Sequence, residues 1–277
     1  PLYHDREIRT MLNTAAAHLP RVDAIGGSSA GIYIENRPMV ASLFRNIAEE
    51  NFPRVRDLFI NIQREMGVPL VIINDGDVTA LAGSMSLNEN GILGIAMGSS
   101  EAAGYVDQNG HITGWLNELS FAPVDYNPAA PEEEWSGDKG CGASYLSQQC
   151  VFRLASLNGL ILPDGTTDAE KLAFAQEKLE SGNPIAKKIW ETMGVYLGYS
   201  LAHYADFYDM QHVLILGRCT SGSGGEILLD RAEQVFREEF QELQTRIKIS
   251  LPDEKSRRVG QSIAAASLPE IHPVEEP

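Results

Sequence analysis

The stretch Val71-Ile72-Ile73-Asn74-Asp75 is a short apolar run that ends in an amide and a carboxylate. It continues into residues 76–83, a small-residue segment that can form a helix. In an α/β protein, the carboxyl end of a buried strand lies where such folds bind their substrates. Asn-Asp-Gly is also common in turns, and on these residues alone a turn is the favoured interpretation. The rest of the chain must therefore decide between a turn and a site.

The composition narrows the classes of protein. The 277 residues include 38 acidic and 22 basic side chains, and the formal charge of −16 disfavours binding to nucleic acid or to an anionic membrane. Three scattered cysteines do not form a disulfide framework, which favours a reducing cytoplasm. No apolar run approaches the roughly 20 residues that a membrane span needs.

Apolar runs separated by glycine-rich turns predict an α/β chain. Asp107-Gln108-Asn109-Gly110 is a turn signal that follows two such runs and indicates a hairpin. A loop rich in Pro, Glu and Gly is predicted over residues 125–142. The predicted strands are 23–25, 69–73, 92–97, 102–106, 213–216 and 247–251.

The second half of the chain is predicted to be largely helical. Thr167-Asp168-Ala169-Glu170 forms a capping box, and Asn183-Pro184 places a cap before a proline at the first helical position. Gly194 and Gly198 interrupt the apolar stripe of this long helix, which predicts close approach of another backbone. The predicted helices are 43–66 (interrupted at Pro53), 145–157, one starting at 168, one starting at 184, 226–243 and 260–268.

Two glycine-rich turns follow predicted strands and could present backbone amides to an anion. They are Gly98-Ser99-Ser100 and the segment 217–225. Each is weak evidence by itself, because glycine turns follow strands in many proteins. Neither matches the phosphate loop of P-loop nucleotidases or the dinucleotide fingerprint, and both of those interpretations are rejected.

Six segments in this order resemble the ROK family (repressors and sugar kinases) of the actin-like, hexokinase-like ATPase superfamily. The resemblance covers most of residues 22–268, and no single segment is specific without the others. The segments are 73–83 (strand, Asn-Asp, small-residue helix), 93–104 (phosphate segment), 114–119, 137–141 (glycine-cysteine), 194–217 (adenosine side) and 260–266 (closing helix).

The resemblance implies a two-lobed α/β fold of the actin-like (ribonuclease H-like) type. Residues 1–88, joined by 257–277, would form the first lobe, which would be incomplete at its N-terminus. Residues 89–256 would form the second lobe. A sugar would bind between the lobes, with ATP and Mg²⁺ beside it.

The resemblance also implies roles for individual residues. Asp75 would be the general base that takes a proton from a sugar hydroxyl, a role that suits a carboxylate in phosphoryl transfer. The implied sugar contacts are Asn74, Asn117, Glu118 and Gly31. The implied nucleotide contacts are Gly98, Ser99, Ser100, Gly217, Ser221 and Gly222.

The chain departs from the family pattern on the phosphate side. The family's first phosphate hairpin has no match, because residues 23–28 lie too close in sequence to Asp75, and Gly31 better matches a later strand that ends in Pro-Gly. Ser100 and Ala102 replace glycines. Glu101 would place a negative charge near an anion site unless its side chain turns away.

The chain also departs from the family pattern at positions where many members bind zinc or sugar. Phe121 stands at the position of the zinc-binding histidine, and Glu134 and Ser136 replace two cysteines, so that Cys141 alone remains. The six histidines have no ligand spacing, and we therefore expect no structural zinc. Ala143 replaces a glutamate that commonly binds sugar.

Two hypotheses about function follow. The first is an ATP-dependent sugar kinase with Asp75 as base. The second is a catalytically degenerate member that binds carbohydrate or nucleotide as a regulator. A DNA-binding repressor is a weaker third, since no basic helix-turn-helix segment is present. We expect a small-molecule sugar partner, self-association into a homo-oligomer, and neither nucleic-acid nor membrane binding.

Overall fold

The computed structural model describes residues 2–44, 47–133, 136–252 and 254–271. The described strands form three sheets: a parallel pair near the N-terminus, a two-stranded antiparallel hairpin beside it and a four-stranded sheet further on. The strands are β1 (Ile25–Ser29), β2 (Ile32–Ile34), β3 (Arg37–Val40), β4 (Leu70–Asn74), β5 (Ile92–Met97), β6 (Glu101–Val106), β7 (His212–Leu216) and β8 (Lys248–Ser250).

Helices pack against the sheets and connect the parallel strands. Short 3₁₀ turns lie at Ser42–Phe44, Glu49–Asn51, Leu119–Phe121, Gly142–Ser144 and Arg218–Thr220. The α-helices are α1 (Leu2–Ala16), α2 (Phe52–Arg56), α3 (Leu58–Met66), α4 (Asp75–Leu87), α5 (Gln148–Asn158), α6 (Asp168–Glu180), α7 (Pro184–Tyr204), α8 (Ser223–Glu239), α9 (Gln241–Arg246) and α10 (Glu254–Ala266).

The larger sheet has the order β6-β5-β7-β8, with β6 antiparallel to β5 and the other pairs parallel. Its core is closed by α5 to α8 and contains the fully buried rings of Trp190, Tyr204 and Phe236. The backbones of α7 and α8 approach closely at Gly194, where a Cβ would lie 2.8 Å from the carbonyl oxygen of Leu228. This confirms the predicted close approach along α7.

The smaller region pairs β1 with β4 in parallel, next to the β2–β3 hairpin. Asn36 in the hairpin turn joins the two: its side chain donates to the carbonyl of Leu70 at 2.7 Å and accepts from the amide of Ile72 at 2.8 Å. The apolar cluster beneath this region includes Phe59 and Ile62 of α3. The hairpin therefore lies against the strand that leads to Asp75.

Helix α4 contacts β5, β6 and α10, which explains its small residues. A Cβ on Gly76 would lie 2.1 Å from the carbonyl oxygen of Ala103, so the first turn of the helix touches the β6 backbone. Val78 and Ala82 form a small apolar cluster with Ala264 and Ala265 of α10. The position of α4 is thus fixed from two sides.

Most predicted elements are confirmed, and the differences have physical causes. β1 runs through Gly26 to Ser29 instead of stopping at Ile25, because Gly26 lies under α10 where a Cβ would meet the Ala265 oxygen at 1.7 Å. α8 begins at Ser223 and includes glycines that were predicted to be loop. The predicted helix 43–66 is divided into shorter helices, and Pro53 lies in the first turn of α2.

Three elements have no counterpart in the sequence prediction, namely α1, β2 and β3. Helix α10 also begins six residues before its predicted start. Glu134 and His272, which entered the sequence argument, lie outside the described residues, as does the acidic end at Glu275 and Glu276. The proposed lobe boundaries remain a prediction. Among the described helices, none combines the length and the apolar character needed to cross a bilayer.

Candidate functional site

The carboxyl ends of β1 and β4 meet at one edge of the smaller sheet, where Ser29 lies beside Asn74. Asn74 is the N-cap of α4, and its side-chain oxygen accepts from the amide of Gly76 at 2.7 Å. Its Nδ2 donates to the carbonyl of Gly31 at 2.8 Å. The structure thus brings the predicted residues Asn74 and Gly31 together and gives the amide a structural function.

Asp75 is the first residue of α4 and is half-buried. Burial raises the pKa of its carboxyl group, while the backbone N–H groups of Asp75 and Gly76 oppose that rise. The N-terminus of a helix also favours a negative charge. The side chain is therefore held at a fixed place as a carboxylate that is more basic than an ordinary aspartate.

Glu118 and Tyr33 lie within reach of the Asp75 charge. Burial and the Asp75 charge both raise the pKa of Glu118. Burial raises the pKa of Tyr33, and the Asp75 charge raises it further. A 2.7 Å hydrogen bond with the hydroxyl of Ser29 opposes this rise. Two carboxylates and two hydroxyls from three parts of the chain therefore converge, and Ser29 and Tyr33 were not predicted.

A buried polar network lies directly behind this group. Asn117 donates to Oδ1 of Asp77 at 2.8 Å and accepts from the Tyr208 hydroxyl at 3.1 Å. Burial raises the pKa of Asp77 to about 6. Hydrogen bonds from Asn117 and the Tyr105 backbone oppose this rise, and the charges of Asp75 and Glu118 add to it. Asp77 was missed, although its place two residues after Asp75 in the same helical turn was a usable signal.

The geometry of Asn117 differs from its predicted role as a sugar contact. The residue is only 6% exposed, and both ends of its amide are engaged by Asp77 and Tyr208. Its φ of 51° is in the left-handed region, and the next residue, Glu118, is half-buried. In this structure the amide of Asn117 is engaged inside the protein.

The two predicted glycine turns meet, because β5 and β7 are neighbouring parallel strands. Gly217 lies so close to β5 that a Cβ there would be 2.5 Å from the Met97 carbonyl oxygen. Arg218 donates to the Ser99 hydroxyl at 3.1 Å across the two turns. Gly98, Ser99, Ser100 and Gly217 are thus brought together, and Arg218 adds an exposed cation that the sequence argument did not single out.

Ser221 and Gly222 lie further along the second turn, at the start of α8. Glu180 of α6 accepts hydrogen bonds from the amide and the hydroxyl of Ser223, at 2.8 and 2.9 Å. These two bonds lower the pKa of Glu180. Gly222, with a φ of 65°, leaves room for this carboxylate, since a Cβ there would be 2.4 Å from Oε1 of Glu180. The protein's own acid therefore occupies the first turn of α8.

The sequence left open whether Glu101 places a charge near the 98–100 turn or points away from it. In the structure its side chain points away from this turn. It is 3% exposed, and the Tyr204 hydroxyl approaches its Oε1 at 3.5 Å. Burial raises the pKa of Glu101 to about 8, against the hydrogen bond from Tyr204. The group is therefore mainly neutral at pH 7, and the turn 98–100 carries no added negative charge from it.

The positions where many family members bind zinc or sugar differ in burial. Cys141 and Ala143 are buried, and Phe121 is exposed at the end of a 3₁₀ turn. Over the described ranges, no group of three or more His, Cys, Asp or Glu side chains is arranged to hold a metal ion.

Three solved structures have the same fold. A ROK hexokinase from Thermus thermophilus superposes with a TM-score of 0.71 at 18% identity, over 95% of this chain and 86% of that one. A ROK family glucokinase from Streptomyces griseus, in complex with glucose and AMPPNP, gives 0.70 at 20% identity, over 95% and 88%. A ROK family transcriptional regulator, a homologue of the E. coli MLC protein, gives 0.70 at 20%, over 96% and 67%.

The chain therefore has the mixed α/β fold of this ROK hexokinase, this ROK glucokinase and this ROK regulator, which agrees with the predicted fold class. In sequence, no protein-family model matches it, and no curated protein matches it significantly. The fold is shared while the residues have diverged, so the site must be judged by its own chemistry.

Proposed function

We propose that this protein is a ROK-type sugar kinase that binds a sugar against Asp75 and Glu118. The observation that supports this most directly is the pair of half-buried carboxylates at the end of β4, close enough for the charge of one to raise the pKa of the other. Each carboxylate can accept two hydrogen bonds, so the pair suits a ligand with several neighbouring hydroxyl groups. The fold shared with sugar kinases agrees with this chemistry.

Asp75 would accept the proton of the reacting sugar hydroxyl on its carboxylate. A raised pKa makes the group a better base near neutral pH, while the backbone amides of Asp75 and Gly76 keep it ionised. Glu118 would bind a second hydroxyl, and the hydroxyls of Ser29 and Tyr33 would contact the same ligand. Burial of this group would exclude water and strengthen each hydrogen bond.

The nucleotide would bind at the joined glycine turns. Its contacts would be Gly98, Ser99, Ser100, Gly217, Ser221 and Gly222. Arg218 would add a cation, and a guanidinium suits phosphate oxygens. ATP would supply the phosphoryl group, and Mg²⁺, which is commonly held by substrate phosphates and water with one or two carboxylates, would neutralise its charge.

A second candidate is a sugar-binding regulator without phosphoryl transfer. Glu180 favours it, because this carboxylate already occupies the amide of Ser223 at the α8 N-terminus, on the side proposed for the nucleotide. The fold shared with a ROK regulator is compatible with this second role.

The experiment that separates the two is a binding and turnover panel on the purified chain. Glucose and other hexoses are titrated with and without Mg-ATP, with thermal unfolding and ADP release as readouts. A ligand that binds only the folded state increases the free energy of unfolding, by about 2.7 kcal/mol at a ligand concentration of one hundred times its Kd. The melting temperature rises accordingly. We expect sugar and Mg-ATP each to stabilise the protein and to give ADP only when both are present.

Asp75→Asn is the matched variant, since it keeps the size and polarity of the side chain. It should still bind the sugar but lose ADP release. Phosphorylation that persists in Asp75→Asn rules out the assigned base. Sugar binding without any response to Mg-ATP selects the regulator instead of the kinase.

A further inference from the structure

An aromatic cavity of about 450 Å³ lies between the segment after β6 and the C-terminal end of α7. The rings of Trp115, Tyr204, Phe207 and Tyr208 form much of its wall, with the imidazole of His203. This volume and this lining are typical of a site for one small ligand. The sugar and nucleotide proposals do not use it.

The chemistry of the wall selects the ligand. The hydroxyls of Tyr204 and Tyr208 are bonded to Glu101 and Asn117, so these two residues offer the cavity their rings. His203 remains as a polar group on the wall. Aromatic rings pair favourably with other rings in offset or edge-to-face contacts. The wall therefore suits a flat aromatic molecule with one polar group, and the net charge of −16 disfavours an anion.

Three large rings at the mouth are exposed to solvent: Trp115 by 53%, Phe207 by 64% and Tyr126 by 76%. Exposed apolar surface that is contiguous in this way marks an interaction site. Trp115 is already held in place, because its ring stacks on Tyr105 with a centroid distance of 6.1 Å and an interplanar angle of 17°. A ligand would cover these rings without reorganising the wall.

The cavity is connected to the candidate sugar site by hydrogen bonds. Tyr208 donates to Asn117, and Asn117 donates to Asp77, which lies two residues after Asp75 in the same turn of α4. Asn117 also precedes Glu118 in the chain. We propose that this cavity binds a small, uncharged aromatic ligand and that Tyr208 transmits its presence through Asn117 to the sugar site.

The first test is a titration of the protein with indole, measured by calorimetry. We expect saturable binding of one indole per chain. Phe207→Ser should weaken it roughly fivefold or more, the size of one lost aromatic contact. Phe121→Ser is the control, since Phe121 is also exposed but does not line the cavity. Absence of saturable binding, or equal binding in Phe207→Ser and the wild type, overturns the site.

The second test isolates the connection and needs no sugar. Tyr208→Phe keeps the ring but removes the hydroxyl that reaches Asn117. Indole should bind this variant within about twofold of the wild type. The assigned side-chain amide signals of Asn117 in an NMR spectrum should shift on adding indole to the wild type and stay unchanged in Tyr208→Phe. Equal shifts in both proteins overturn the transmission through Tyr208.

The sugar readout rests on the proposed function and is kept separate. Indole should change the Kd for the sugar found in the panel in the wild type, and not in Tyr208→Phe. If no sugar binds, the proposed function fails while the indole isotherm still decides the cavity. If indole does not bind and Phe207→Ser dissociates a dimer in sedimentation, the exposed rings are an interface between copies, and the ligand proposal is overturned.

Discussion

Two strand-to-helix junctions in this protein differ in form and in how the helix is capped: α4 follows β4 directly, whereas a 3₁₀ turn lies between β7 and α8. At the β4–α4 junction, Asn74 caps its own helix and Asp75 remains half-buried with its carboxylate near Glu118. At the β7–α8 junction, no side-chain hydrogen bond comes from the N-cap Gly222, and Glu180 of α6 bonds the amide of Ser223 instead. A helix N-terminus binds an anion readily, and here the source of the cap differs between the two junctions.

The two sides of the candidate site therefore differ in their chemistry. The β4 side has convergent carboxylates with raised pKa values, as active sites often have. The α8 side has close backbone contacts, one exposed arginine and an internal acid. The four changes below test that difference, in order of decreasing effect.

The largest effect is expected for Asp75→Asn on turnover. Loss of a general base costs about 10²- to 10⁴-fold in rate, and sugar affinity should change far less. Because burial raises the pKa of Asp75, the wild-type rate should fall with decreasing pH at a higher pH than an ordinary aspartate would give. Steady-state kinetics across pH measure both. Glu118→Gln, the control, should raise KM more than it lowers kcat.

The next effect concerns Glu101 and the pH dependence of stability. A buried acid whose pKa is raised to about 8 keeps its proton in the folded state after the unfolded chain has lost it, so stability falls as pH rises from about 4.5 to 8. Glu101→Gln should remove most of this fall, roughly 3 kcal/mol between pH 5 and pH 8. Urea unfolding at both pH values tests it. Parallel pH profiles for wild type and variant would contradict the burial of a protonated Glu101.

Glu180→Gln tests whether the internal acid competes with the nucleotide. Removing the charge leaves a side chain of the same shape at the amide of Ser223, so Mg-ATP affinity should rise severalfold if the two compete. Calorimetric titration of Mg-ATP is the measurement. Glu177→Gln, a neighbouring change on the same helix, is the control. Unchanged affinity in Glu180→Gln would remove the main observation that favours the regulator.

The smallest effect is expected for Arg218→Ala. The hydrogen bond to Ser99 is exposed and contributes little to stability, on the order of 0.5 kcal/mol. Mg-ATP affinity should fall by roughly twofold to tenfold if the guanidinium contacts phosphate. The same titration measures it, with Arg237→Ala as an exposed control far along α8. A larger loss of folding stability than of affinity would make Arg218 a structural link between the two turns.

Local patterns in the sequence predicted much of the fold correctly. The capping box at Thr167 and Glu170 has both of its hydrogen bonds, and α7 begins at Pro184 after the Asn183 cap. These elements were predictable because the residues that satisfy the helix ends lie within one turn of each other. The β5–β6 hairpin was predictable for a different local reason, since two consecutive apolar runs are separated by a short glycine turn.

Other features depended on distant residues and could not be predicted from local patterns. Gly26 and Gly27 resemble a turn, but Gly26 is a strand residue because α10 passes directly over it. Glu101 is buried beside the hydroxyl of Tyr204, which is 103 residues away in the chain. Asn117 became a buried link only because Asp77 and Tyr208 lie on either side of it.

The sequence by itself determined the α/β class, the strand that delivers Asn74 and Asp75, and the two glycine turns, because these follow from periodicity, caps and turn residues. Only the tertiary structure decided which acids face the site. Asp75 and Glu118 converge there, Glu101 is turned inside, and Glu180 covers a helix end. The physical reason is that the burial and pKa of a carboxyl group depend on neighbours brought together by folding, and the chain order around it does not specify them.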